Sequence, residues 1–216
     1  MRPVPPYSVN QRYYNMLLMT KSDSAIRRRS FDKVRTADCF RPDNNKTTMD
    51  WAIELLQLEP YQHILEIGFG SGRTLQTLGR KLQVGFLAGV DRSPENYLMA
   101  LKRNRRLIEQ QILQLHLGTV SELPYPAGYF HTLFSNHSLD FLHECPDSMH
   151  HLHSLLRSQG RLVQVFQPKW APSDADLWKV AEQVQKKFSE SGLSAVQISF
   201  LEMHPVNAFA VVGFKP

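Results

Sequence analysis

At 216 residues, with 42% hydrophobic and 21% charged side chains, the chain reads as a soluble globular protein with one sizeable core. No apolar run approaches the ~20 residues that cross a bilayer. Residues 1–10 hold three prolines in place of an apolar leader, and Cys39 and Cys145 cannot build a disulfide framework, so the expected setting is cytoplasmic.

The net charge of +5 is unevenly placed: nine Lys and Arg precede Pro42 against three Asp, which gives +6 there and −1 afterwards. Such a basic arm suits an anionic substrate, nucleic acid or a membrane surface, and equally a solvated helix face. Residues 1–45 are expected to stand outside any sheet, with Tyr13–Met19 apolar enough to pack and 27–34 a short helix. Thr47–Leu58 has amphipathic spacing, with Thr48 or Asp50 as cap and Pro60 as stop. His63–Ile67 is a short apolar strand that breaks into Gly68, Gly70 and Gly72, and Leu75, Leu78, Gly79 and Leu82 behind them predict a helix. A strand turning through glycines into a helix gathers backbone N–H groups and a positive dipole end at one point, a nucleotide-type ligand site. The dinucleotide pattern Gly-x-Gly-x-x-Gly is not met. Glu66 also sets a carboxylate where a pyrophosphate would be repelled and a cationic ligand favoured.

The stretch Ile64–Thr74 (Ile-Leu-Glu-Ile-Gly-Phe-Gly-Ser-Gly-Arg-Thr) resembles the first motif of the class I S-adenosylmethionine-dependent methyltransferases. The resemblance implies S-adenosyl-L-methionine as cofactor, with Glu66, Gly68, Phe69, Gly70 and Gly72 around it. Val84–Val90 reads as the second strand, and Asp91 ends it about 20 residues past the glycines, where a carboxylate accepts ribose hydroxyls. The alternative for Asp91 is helix capping alone. Arg92 is expected beside the adenine, and Ser93-Pro94 opens a basic helix over Glu95–Ile108 whose charges read as a solvated face. After a strand at Ile112–Leu117, Gly118–Tyr125 resembles the family's Gly-Asp-Ala-x-x-Leu-Pro-Phe signature. Thr119 stands there for the usual Asp toward the adenine amine, and Val120 offers its backbone N–H. Tyr129–Ser135 is a fourth strand, with His131 replacing a usual Asp. Past its end lie Asn136, His137 and Asp140, where the family meets the methionine portion and the incoming nucleophile. A helix at Pro146–Leu156, a turn and fifth strand over Ser158–Val165, a helix at Asp174–Ser189 and strands at Ser194–Glu202 and Ala208–Phe214 complete the series.

The implied fold is α/β, a Rossmann-like three-layer sandwich with a seven-stranded, mostly parallel sheet and a final antiparallel hairpin. Residues 46–216 are the expected methyltransferase domain, and 1–45 an N-terminal helical, basic and aromatic segment covering the active site. Tyr13, Tyr14, Phe31 and Phe40 are candidate pocket walls or packing anchors, and Asp140 a candidate substrate contact. His137 is the candidate general base, because an imidazole titrates near neutrality; the competing reading makes it a pocket wall. His143, His150, His151 and His153 with Cys145 lack zinc spacing and read as an exposed helix, so no metal is expected. The expected activity is methyl transfer to a small molecule. Alternatives are an RNA- or protein-directed enzyme using Arg27, Arg28 and Arg29, and a non-catalytic cofactor-binding protein.

Overall fold

The computed structural model describes residues 39–40, 47–82, 84–139, 142, 147–168, 173–204 and 206–216. Its elements run β1 (Cys39–Phe40), α1 (Thr48–Leu56), β2 (His63–Ile67), α2 (Arg73–Gly79), β3 (Phe86–Asp91), α3 (Pro94–Arg103), α4 (Arg105–Glu109), β4 (Leu113–Leu117), a 3-10 turn (Val120–Glu122), β5 (Phe130–Asn136), α5 (Ser148–Leu155), β6 (Leu156–Phe166), α6 (Asp174–Glu190), β7 (Ser194–Leu201) and β8 (Ala208–Phe214).

The strands form one sheet in the order β1-β7-β8-β6-β5-β2-β3-β4. β2 lies parallel to both β3 and β5, and β6 to β5, while β8 runs antiparallel to β6 and to β7. The seven expected strands and their closing hairpin are therefore present. Side-chain alternation sorts the core into two layers. Ile64 joins Trp51 and Leu56 of α1, Leu75 and Leu78 of α2 and Ala100 of α3. Leu65 and Ile67 face Leu152 and Leu155 of α5 and Leu177, Val184 and Phe188 of α6. Among the described residues no helix is long and apolar enough to cross a membrane.

Four expectations need correction. Cys39–Phe40, placed outside the sheet by the sequence reading, pairs in parallel with Phe200 and Leu201 as its outermost strand. It occupies part of an edge whose N–H and C=O groups would otherwise lie unpaired. The cap of α1 is Thr47, whose hydroxyl accepts from the Asp50 N–H at 3.2 Å while the Asp50 carboxylate accepts from Thr47. The basic helix over 95–108 is broken at Asn104, a buried residue whose amide donates to the Gly72 and Ala100 carbonyls at 3.0 and 3.1 Å. The histidines of α5 are not uniformly exposed: His150 is, but His151 and His153 are half-buried. Burial, with Lys215 and His150 nearby, holds the His153 imidazole below its ordinary range.

Glu66 sits on the face covered by α2 and is buried among apolar residues. Burial pushes its carboxyl well above the usual carboxylate range. A hydrogen bond with the Thr74 side chain opposes this, the Asp91 charge adds to it, and a bond with the Leu75 backbone again opposes it. One oxygen, Oε2, has no hydrogen-bond partner. Because the folded value lies above the unfolded one, the associated stability is complete below about pH 4.3 and is lost as pH rises through the folded value. Glu66→Gln, which cannot ionise, is expected to melt increasingly above the native protein between pH 5 and pH 8. Scanning fluorimetry at both values checks this, and an equal gap at both would refute it.

Candidate functional site

The strand β2 ends in a turn that only glycine adopts without strain: φ is +73° at Gly68, +53° at Gly70 and +72° at Gly72. A Cβ at Gly70 would meet nothing within 4 Å, because that side of the turn is open space. The space is a cavity of about 430 Å³ at the carboxyl ends of β2, β3 and β5. Ile67, Gly68, Gly70 and Val90 form its floor, Asp91, Arg92, Ser93 and Asn96 one side, Gly118 another, and Asn136, His137 and Ser138 the side opposite. This is where open parallel sheets receive ligands.

The Asp91 carboxylate ties the cavity to the turn. Its Oδ2 accepts from the Gly70 N–H at 2.8 Å and its Oδ1 from the Ser93 N–H at 2.9 Å. The Asn96 amide donates to both oxygens, at 3.2 and 3.3 Å. Across the cavity, the Asn136 Oδ1 is buried without a hydrogen-bond partner. His137 stands in the left-handed region at φ +65°, an uncommon state for a residue with a Cβ and one that clusters at functional sites. Its N–H donates to the Val165 carbonyl at 2.9 Å, and its Nε2 shares a hydrogen bond of 2.7 Å with the buried Thr48 hydroxyl. The Ser135 hydroxyl donates to the Ser138 carbonyl at 2.9 Å and so holds the bend that carries these three side chains.

Residues 65–164 match the family model described as "Methyltransferase domain". The uncharacterized methyltransferase YdaC of Bacillus subtilis (strain 168) is 22% identical over 173 residues, which is 80% of this chain and 93% of that protein. Among solved structures, a SAM-dependent methyltransferase from Aquifex aeolicus matches with a TM-score of 0.62 at 13% identity, over 78% of this chain and 89% of that one. These likenesses support the fold of a class I methyltransferase, with the family model matching just under half of the chain. The [4+2]-cyclase SpnF matches with a TM-score of 0.64 at 15% identity over 96% of each chain. At such identities the solved structures speak for the fold, and a cyclase among them underlines that a fold alone does not choose a reaction.

The cavity's own atoms fit the cofactor that the matching family implies. An open space above Gly70, a carboxylate at Asp91 and an orphaned buried acceptor at Asn136 suit a ligand with hydroxyl and ammonium donors and no phosphate. Of the residues singled out in the sequence, Gly68, Gly70, Asp91, Arg92, Asn136 and His137 border the cavity. Glu66, Phe69 and Gly72 do not. Phe69 is buried beneath the turn, within reach of Gly89, and Gly72 caps α2 against α3. Thr119 and Val120 also lie off the wall. The Thr119 hydroxyl donates to the Glu122 Oε2 at 2.9 Å and lies 2.9 Å from the Ser121 hydroxyl, so it closes the 3-10 turn, and Gly118 takes the place at the cavity. His131 is the second residue of β5, at the opposite end from the cavity, and its Nδ1 accepts from the His63 N–H at 3.1 Å. Tyr13, Tyr14, Phe31 and Asp140 lie outside the described residues, and of Phe40 only the backbone is described.

Sequence reasoning missed Asn96 and Thr48. Asn96 follows Asp91 by five residues, within the first turn of α3, and that spacing after a strand-end carboxylate was the available signal. Thr48 was read only as a helix cap. Asn96→Asp sets a second carboxylate against Asp91 and deprives it of a donor. Calorimetry with S-adenosylmethionine is expected to show about tenfold weaker binding or worse, a loss of roughly 1.4 kcal/mol or more; an unchanged dissociation constant would remove Asn96 from the site.

Proposed function

We propose that this domain binds S-adenosyl-L-methionine over the glycine turn and transfers its methyl group to a small-molecule acceptor. The observation that carries the proposal is a cavity that joins Asp91 and Gly70 on one side to Asn136, His137 and Ser138 on the other. Its volume of about 430 Å³ lies within the range of small-ligand sites.

In this reading Asp91 accepts the ribose hydroxyls, Gly70 lets the ligand lie against the backbone, and Asn136 offers its unused Oδ1 to the ammonium of the amino-acid tail. When bound, the cofactor supplies a methyl group already activated on a positively charged sulfur. What the chain must add is alignment of the acceptor and exclusion of water. His137 borders the cavity with its ring fixed through Thr48, and it is the group available to hold the acceptor's proton.

Calorimetry with the cofactor and with nicotinamide dinucleotide tests the first half: binding of the dinucleotide and not of the methyl donor would overturn it. Incubation with methyl-labelled cofactor and separate pools of metabolites, RNA and protein tests the second. Label is expected in low-molecular-weight material. Label in RNA or protein would replace the small-molecule acceptor, and binding without any transfer would leave a cofactor-binding protein.

A further inference from the structure

Between residues 71 and 110 the chain carries Arg73, Arg80, Lys81, Arg92, Lys102, Arg103, Arg105 and Arg106 against Asp91, Glu95 and Glu109. This stretch is therefore net +5, while the rest of the chain from Pro42 onward is net −6. All eight cations are exposed. The three acids do little to answer them. Asp91 is buried and bonded to Gly70, Ser93 and Asn96. Glu95 accepts the Ser93 hydroxyl at 2.7 Å at the far end of α3, and Glu109 is spent on Arg105 at 2.7 Å.

The helices bearing these cations pack side by side, so their charges form one field. The Gln76 amide of α2 donates to the Arg103 carbonyl at 3.2 Å, and the Arg103 Nε donates to the Ser71 carbonyl at 2.8 Å. Asn104 binds the Gly72 carbonyl at 3.0 Å, and Leu107 of α4 lies directly over Gly79 of α2.

The same surface exposes aliphatic side chains. Leu98 is 65% and Met99 49% exposed, and they stand four residues before Lys102 and Arg103 on α3. Cations alone would suit any polyanion. Large aliphatic side chains held in water beside them suit a surface with an apolar interior beneath its anionic groups. A single-stranded nucleic acid is met by exposed aromatic rings, and the aromatic residue of α3, Tyr97, is half-buried.

We infer that the α2–α3–α4 face is a docking surface for an anionic lipid bilayer, with Leu98 and Met99 entering the headgroup layer and Arg80, Lys81, Lys102 and Arg106 facing its phosphates. The contact is peripheral and salt-sensitive. It leaves the cofactor cavity unaltered and does not depend on the proposed reaction.

Co-sedimentation of the full chain with vesicles tests it. Binding is expected to vesicles containing roughly a third phosphatidylglycerol and not to phosphatidylcholine alone, and to fade between about 50 and 500 mM salt. Lys102→Glu with Arg106→Glu should lower the partition coefficient about tenfold or more. Leu98→Ser with Met99→Ser should weaken binding at every salt concentration without changing its salt dependence. Both pairs are surface changes, and their melting temperatures and cofactor affinities should match the native protein's. Vesicle binding unaffected by either pair would place the contact elsewhere in the chain and overturn the inference. So would no binding to anionic vesicles, or generic RNA bound through Lys102 and Arg106 while Leu98 and Met99 proved indifferent.

Discussion

Replacing Asp91 by alanine is expected to weaken S-adenosylmethionine binding by about 1–3 kcal/mol, roughly 5- to 150-fold in dissociation constant. The loss has two sources. One is the acceptor that the proposed reading gives the ligand's hydroxyls, with hydrogen bonds strengthened by the carboxylate charge. The other is the brace on the turn, because the same carboxylate accepts the Gly70 N–H at 2.8 Å and the Ser93 N–H at 2.9 Å. In the alanine variant both N–H groups lose their partner, and Gly70, at φ +53°, loses what holds it over the cavity. Asp91→Asn keeps the size and one acceptor oxygen without the charge, so it should fall between the two. Calorimetry and a melting curve on each variant separate the sources. A native dissociation constant in the alanine variant would dismiss Asp91 as a ligand group, whatever happened to its melting temperature.

The topology was legible because periodicity and punctuation agreed along most of the chain. His63–Ile67 and Ala208–Phe214 have the bounds their apolar runs suggested, and Ser93 caps α3 with Pro94 behind it, as the sequence predicts. What the sequence concealed were contacts between residues far apart in it. Asn104 looks like any polar residue in a basic helix, yet it interrupts that helix because its amide finds the Gly72 carbonyl 32 residues earlier. Thr48 and His137 are separated by 89 positions and meet at 2.7 Å. Glu66 was read as a carboxylate presented to a ligand, since a strand end is where ligands bind. The alternation of β2 instead turns it toward α2, beside Ile64's layer, where Thr74 and Leu75 engage it. A motif specifies which residue types recur at a strand end. Which of them reach the cavity depends on the pleat and on the helix packed above it.

Gly72→Ala is expected to cost about 3 kcal/mol of stability, combining the strain of a Cβ in the left-handed region with overpacking against a neighbouring helix. Gly72 holds φ +72°, and a Cβ there would lie 2.5 Å from the Asn104 Nδ2, 2.9 Å from the Ala100 Cβ and 3.2 Å from the Ala100 Cα. Ala100 and Asn104 are both buried and the Cα belongs to the backbone of α3, so the clash cannot be relieved by swinging a flexible side chain aside. For a chain of this size the melting temperature should fall by roughly 6–12 °C. Ala100→Gly in the same protein removes the contact at 2.9 Å but leaves the other two and the backbone strain. The double variant should therefore be less destabilised than the sum of the two single changes, yet remain below the native protein. Gly70→Ala supplies the contrast. Its backbone is similarly left-handed at φ +53°, but its Cβ would project into open space, so its cost to folding is the strain alone and its larger effect should appear in cofactor affinity. Equal melting temperatures for the Gly72 and Gly70 variants would mean that α2 and α3 do not need their close approach, and that the third glycine of the motif serves the turn without serving the packing.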